Sequence, residues 1–257
     1  MTAWHDLHGH VALITGGNSG IGLGIARGLA RAGATIALWG RNQSRNTAVV
    51  AQLETIAPRA NVEAFTVDVS DEAAVNEGLR AVIERFARLD SCFANAGVLG
   101  QPAAIDELNT EAWRRVLAVN LDGAMLTLRS ASRHLRQQGD GGSLIVTSSL
   151  GALHGTPRNA AYAASKGALT SIVRSLAVEL ARDQITVNAI LPGWIHTAMS
   201  EQLLSTDAAQ RKILSRIPAR RWGTADDFEA IAVLLASRGA RYLTGQTIII
   251  DGGYSIF

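Results

Sequence analysis

The chain is poor in cysteine, lysine and tyrosine, and each scarcity narrows what it can be. One cysteine in 257 residues rules out an intramolecular disulfide, so a reducing compartment is expected. Cys92 lies in the apolar run CFANAG, which reads as a buried, inert thiol rather than a nucleophile. No run of about 18 uncharged apolar residues occurs, so no membrane span is expected. The opening MTAWHDLHGH has neither the basic segment nor the apolar core of a secretory leader, and a cytoplasmic protein is the expectation. Positive charge is thin as well. The net charge is +2, and the densest cluster, PARRW at 218–222, holds two arginines, which is no stripe for nucleic acid.

Apolar runs alternate with helical patterns from end to end. The runs are 10–15, 35–40, 62–69, 89–97, 142–149, 185–193 and 246–251, nearly continuous in apolar residues, as strands covered on both faces are. Helical patterns fall at about 20–32, 43–57, 71–87, 110–137, 160–182 and 225–238. The alternation predicts an α/β fold: one doubly wound Rossmann-type parallel sheet of about seven strands flanked by helices. No linker or charge block divides it, so residues 1–257 read as one domain. The segment 198–222 breaks the rhythm and emerges where ligands bind in such sheets, which suggests a substrate lid.

The first strand runs into GGNSGIGLG, where Gly16, Gly20 and Gly22 suit a tight turn against a pyrophosphate at a helix N-terminus. No GK[ST] follows, so a dinucleotide is the better ligand than a nucleoside triphosphate. At the end of the second strand an acidic residue would select NAD by binding the ribose 2′-hydroxyl. Here Gly40 stands at that place and Arg41 follows, which favours NADP(H) and leaves NAD(H) as the alternative.

Positions 162–166 read YAASK in a chain with only two lysines. On a helix, Tyr162 and Lys166 share a face. A nearby ammonium favours the phenolate and is expected to lower the tyrosine pKa towards neutrality. Ser149, thirteen residues earlier at the end of an apolar run, can donate to a substrate oxygen. The G-x-S-x-G elbow of a hydrolase is absent, and His154 has no obvious acidic partner.

With these residues in view, the chain resembles the short-chain dehydrogenase/reductase family in its common form of about 250 residues. The matching stretches are TGGNSGIG (15–22), DV (68–69), ANAG (94–97), VN (119–120), SS (148–149), YAASK (162–166) and PGWIHT (192–197), in the family's order. Ala94 departs from it, since many relatives carry a second asparagine there. The resemblance implies Tyr162 as general acid and base, Lys166 holding the nicotinamide ribose, Ser149 orienting the substrate oxygen, and Asn120 positioning a water in a proton relay.

It also implies cofactor contacts from Gly16, Asn18, Ser19, Gly20, Ile21, Gly22, Arg41, Asp68, Val69, Asn95, Ala96, Gly97, Tyr162, Lys166, Ile195 and Thr197. Asn188 reads as a backbone clamp. A homotetramer built through helices 110–137 and 160–182 and the last strands is implied, and the apolar end QTIIIDGGYSIF fits such an interface. Candidate pocket residues are Leu150, His154, Asn159, Trp194 and His196, with no metal. The expected reaction moves a hydride between a nicotinamide cofactor and the carbonyl or secondary alcohol of a small substrate. A 3-oxoacyl-carrier-protein reductase is an alternative, although Asp140 is ill placed for an acidic carrier. An NAD-dependent sugar or polyol dehydrogenase is another, and a non-catalytic dinucleotide sensor a third.

Overall fold

The computed structural model describes residues 4–257; the first three residues of the segment read as lacking a leader lie outside the described residues. Its strands are β1 (Val11–Thr15), β2 (Thr35–Gly40), β3 (Val62–Thr66), β4 (Ser91–Ala94), β5 (Gly142–Thr147), β6 (Ile185–Pro192) and β7 (Thr247–Ile250). All pair in parallel, in the order β3-β2-β1-β4-β5-β6-β7. The chain winds outwards both ways from β1 and β4, so their carboxyl ends frame the switch point where ligands bind in such sheets. The fold is the expected doubly wound one.

The helices are α1 (Gly20–Arg31), α2 (Gln43–Ile56), α3 (Glu72–Phe86), α4 (Thr110–Leu117), α5 (Gly123–Gln138), α6 (Ala160–Leu180), α7 (Glu201–Leu204), α8 (Asp207–Lys212) and α9 (Glu229–Ala236). Helices α1, α2 and α9 cover one face of the sheet and α3, α5 and α6 the other, each over its own core. Asn42, Asp71 and Asn109 cap α2, α3 and α4 through side-chain oxygens that accept backbone N–H bonds. No helix among the described residues is long and apolar enough to cross a membrane.

Two departures from the sequence expectation matter. The helix expected over 110–137 is broken: a π-helical turn, Ala118–Asp122, separates α4 from α5 and carries Asn120 at its centre. One inserted residue per turn leaves apolar periodicity nearly intact, which is why the pattern reads as continuous; such turns recur at functional sites. The second concerns Gly24 and Gly28, which the phosphate loop does not need. They lie where α1 crosses the start of α9, and a Cβ on Gly24 would come within 1.9 Å of the Ala225 carbonyl oxygen. Propensity alone favours alanine in a helix. Gly24→Ala should nevertheless lower stability by about 1–3 kcal/mol, because the overpacked helix must retreat. Thermal unfolding checks this, and a higher Tm would discard the close contact.

Candidate active site

The carboxyl ends of β4, β5 and β6 and the first turns of α6 converge on one group of side chains. Tyr162 lies in the first turn of α6 and Lys166 one turn later, and the Lys166 ammonium lies 5.7 Å from the centre of the Tyr162 ring. Lys166 is only 4% exposed and donates to the Thr147 carbonyl oxygen at 2.7 Å. Ser148 and Ser149 separate clearly. The Ser148 hydroxyl donates to the Lys166 carbonyl at 2.8 Å and holds α6 on β5, whereas Ser149 faces the Tyr162 hydroxyl and accepts from Gly151 N–H at 3.1 Å.

Electrostatics differ from the sequence expectation. Burial pushes the Tyr162 phenol above its ordinary value, and the Ser149 hydroxyl offsets only part of that. The lysine does not lower it in this state, because Lys166 is itself desolvated and its pKa falls to about 8. The helical spacing of the pair is as expected; the sequence pattern did not carry the burial of both groups.

Asn120 is fully buried, and its amide is occupied within the protein. Nδ2 donates to Val98 O (2.9 Å) and Ser165 Oγ (3.2 Å), while Oδ1 accepts from Val98 N (2.8 Å). Its side chain therefore ties the loop after β4 to α6. Gly97 sits beside it, where a Cβ would lie 3.3 Å from Asn120 Oδ1 and 3.5 Å from Lys166 Nζ. Asn95 is likewise committed: Nδ2 donates to Thr15 O (3.0 Å) and Oδ1 accepts from Thr147 Oγ1 (3.0 Å), fixing β1, β4 and β5 at their ends. Ala96 N–H donates to Thr15 Oγ1, which leaves the 95–97 backbone to line the crevice.

Across the switch point lies the glycine loop. Ser19 precedes α1 without a side-chain cap, and the first turn holds no acidic residue, so the α1 amides stay free for an anion. Gly20 has φ +52°, and a Cβ there would meet Thr197 Cγ2 at 3.2 Å. Gly16–Gly22 and Thr197 are the residues that would hold a pyrophosphate here. Asp68 and the buried Val69 follow β3, beside Arg41, whose Nη1 lies 3.6 Å from Asp68 Oδ2. Burial pushes the Asp68 carboxyl up, but bonds from Ser70 and the Arg41 charge outweigh it and hold the pKa below its usual range.

The expected pocket residues divide. Leu150 lies largely buried in the turn directly after Ser149. His154 and His196 are exposed, and Trp194 stacks edge-on against Tyr254 at 6.2 Å. Asn159 has a buried Oδ1 with no partner. Tyr254 escaped the sequence reading: Arg216 lies over its ring at 4.8 Å, joining the segment 198–222 to the C-terminal turn. Asn188 is the expected clamp, donating to Leu243 O and accepting from Gln246 N. Cys92 is buried, and burial pushes its thiol up to about 12, so it is inert.

Comparison with known proteins agrees with this geometry. The family model described as enoyl-(acyl carrier protein) reductase matches residues 16–255. The 2-dehydro-3-deoxy-D-gluconate 5-dehydrogenase of Dickeya dadantii is 37% identical over 250 residues, covering 97% of this chain and 96% of that protein. The chain belongs to the short-chain dehydrogenase/reductase family. Solved structures agree. Levodione reductase superposes with a TM-score of 0.93 at 33% identity, covering 98% of this chain and 100% of that one. A gluconate 5-dehydrogenase from Burkholderia cenocepacia, in complex with NADP and tartrate, superposes with a TM-score of 0.91 at 32% identity, covering 98% and 97%. The chain is thus an oxidoreductase of the NAD(P)-dependent short-chain class, acting between an alcohol and a carbonyl.

Proposed function

We propose that the chain interconverts a secondary alcohol and a ketone on a small polyhydroxylated acid, using NADP(H). The observation that carries the reaction is the convergence of Ser149, Tyr162 and Lys166 at the carboxyl ends of β5 and β6. When bound, the nicotinamide supplies or accepts the hydride at its C4. The Ser149 hydroxyl donates to the substrate oxygen and orients it. Tyr162 Oη gives its proton to that oxygen in reduction and takes it back in oxidation. Lys166 Nζ keeps donors beyond its bond to Thr147 O that would hold the ribose hydroxyls of the cofactor, and its charge would favour the phenolate. Asn120 holds the loop that floors this space, so its part in a proton relay runs through position and not through a free amide.

Arg41, exposed beyond β2 and paired loosely with Asp68, supports the NADP(H) preference, because a 2′-phosphate is a stronger partner for its guanidinium than a carboxylate at 3.6 Å. Arg41→Ala should weaken NADPH binding about tenfold to a hundredfold and NADH little. Equal losses would remove Arg41 from cofactor selection. The sugar-acid class rests on the Dickeya and Burkholderia relatives. A second reading, an apolar cyclic ketone, is favoured by Leu153 and Met199 on the segments after β5 and β6 and Leu203 on α7, which are 53%, 52% and 47% exposed. The deciding experiment follows NADPH oxidation with keto-hexonates, cyclohexanediones and a 3-oxoacyl thioester. Turnover confined to the diketones would replace the first reading, turnover of the thioester would make the chain a carrier-linked reductase, and binding without turnover would leave a sensor.

The homotetramer and the cytoplasmic compartment belong to this proposal too. Val178 on α6 is 82% exposed, Ile249 on the edge strand β7 39%, and Ile256 and Phe257 90% and 71%, an apolar surface that a second copy would cover. The free buried thiol fits reducing surroundings. Sedimentation equilibrium tests the assembly, and a monomer would remove it.

A further inference from the structure

We propose that Asn46, paired with Asn18, is the positioning residue that commits this chain to a 2′-phosphorylated cofactor. The inference rests on the NADP(H) reading and deepens it. Asn46 is only 3% exposed although it is polar and lies on α2, away from the reacting groups. Its Nδ2 donates to the Gly40 carbonyl at 3.0 Å, and its Oδ1 accepts from Asn18 Nδ2 at 2.6 Å. Asn18 belongs to the glycine loop that cradles the pyrophosphate, and Gly40 ends β2 immediately before Arg41. The two amides therefore bridge the phosphate loop to the turn that carries the selecting cation.

The bridge also fills space. A Cβ on Gly40 would lie 2.2 Å from Asn18 Nδ2 and 2.5 Å from Asn46 Oδ1, so no side chain enters at position 40 while both amides hold their places. An acidic residue there would bind a free 2′-hydroxyl and repel a phosphate; the amide pair excludes it sterically. The same pair anchors the backbone beneath Arg41, whose other partner, Asp68, competes for the guanidinium at 3.6 Å. Without Asn46 the Gly40 carbonyl loses its donor, the turn loosens and Arg41 settles on Asp68. The pyrophosphate contacts, made by the loop glycines and the α1 amides, are common to both cofactors, so the damage falls on the 2′-phosphate.

The test measures binding of 2′,5′-ADP and 5′-ADP to the full chain by titration calorimetry, without turnover. The wild-type chain should prefer 2′,5′-ADP, and Asn46→Ala should shrink that preference about tenfold while changing 5′-ADP affinity little. Gly40→Ala, which forces the same two amides apart from the other side, should shrink it too and serves if Asn46→Ala does not fold. In the Asn46→Ala background, Gly40→Asp should gain 5′-ADP affinity more than it does alone, a coupling that independent sites would not show. A wild-type chain indifferent to the 2′-phosphate would overturn the NADP(H) reading itself. A selective wild type whose preference survives both disruptions would overturn the role of Asn46 alone, as would equal losses for the two nucleotides, the result of a merely structural part.

Discussion

Tyr162→Phe should lower kcat by roughly a thousandfold, within the range that general acid–base catalysis supplies, and leave NADPH affinity within about twofold. The ring stays; only the hydroxyl that faces Ser149 is lost. Burial raises the tyrosine's pKa in the ligand-free chain, so the phenol is protonated at neutral pH and ready to act as acid in reduction. Oxidation asks for the opposite form, and its rate should climb with pH more steeply than that of reduction. A variant that kept a tenth of its turnover would remove Tyr162 from the proton transfer. Retained turnover with lost cofactor binding would recast it as a ribose contact.

Lys166→Met should abolish turnover to a similar degree yet leave the ligand-free chain as stable or more so. The lysine's pKa falls from 10.5 to about 8 through burial alone, which corresponds to a folding cost on the order of 3 kcal/mol while it is charged. The sign follows from proton binding: between about 8 and 10.5 the unfolded chain holds this proton and the folded chain does not, so stability rises with pH across that window. Below about 8 the cost is present in full. Methionine removes the charge but strands the Thr147 carbonyl, which returns about 1–3 kcal/mol. The net effect is a Tm unchanged or raised by a few degrees, at about 2–4 °C per kcal/mol for a chain of this size. The pH dependence of stability between 8 and 10 should flatten in the variant. A large fall in Tm would make Lys166 a structural residue first.

Most of this site is local in sequence, which is why it could be read there. The tyrosine and lysine lie one helical turn apart, the serine closes a strand, and the glycines follow the first strand. What escaped notice is what chain folding brings together from afar. Asn18 and Asn46 stand 28 residues apart in unrelated elements, and no periodicity links them. The packing role of Gly24 and Gly28 was not legible because their partners, Ala225 and Glu229, lie some two hundred residues away. The π-helical turn at Asn120 hides in a pattern that one extra residue hardly disturbs. Burial misled the reading at the tyrosine pKa, since that depends on neighbours that only the tertiary fold supplies.

The crossing of α1 and α9 also settles how the segment 198–222 is fastened. Gly24 and Gly28 let α1 touch the backbone at 225 and 229, and Arg27 and Arg31 pair with Asp226 and Glu229 across the same seam. On the other side, Ser200 Oγ donates to Ile195 O at 2.5 Å, and Gly223 exchanges backbone bonds with Trp194 and His196. Both ends of the segment are thus riveted to the slab that carries the glycine loop. A lid motion of the span between those rivets, which we propose, would pivot on them and leave both ends at a fixed bearing on the glycine loop.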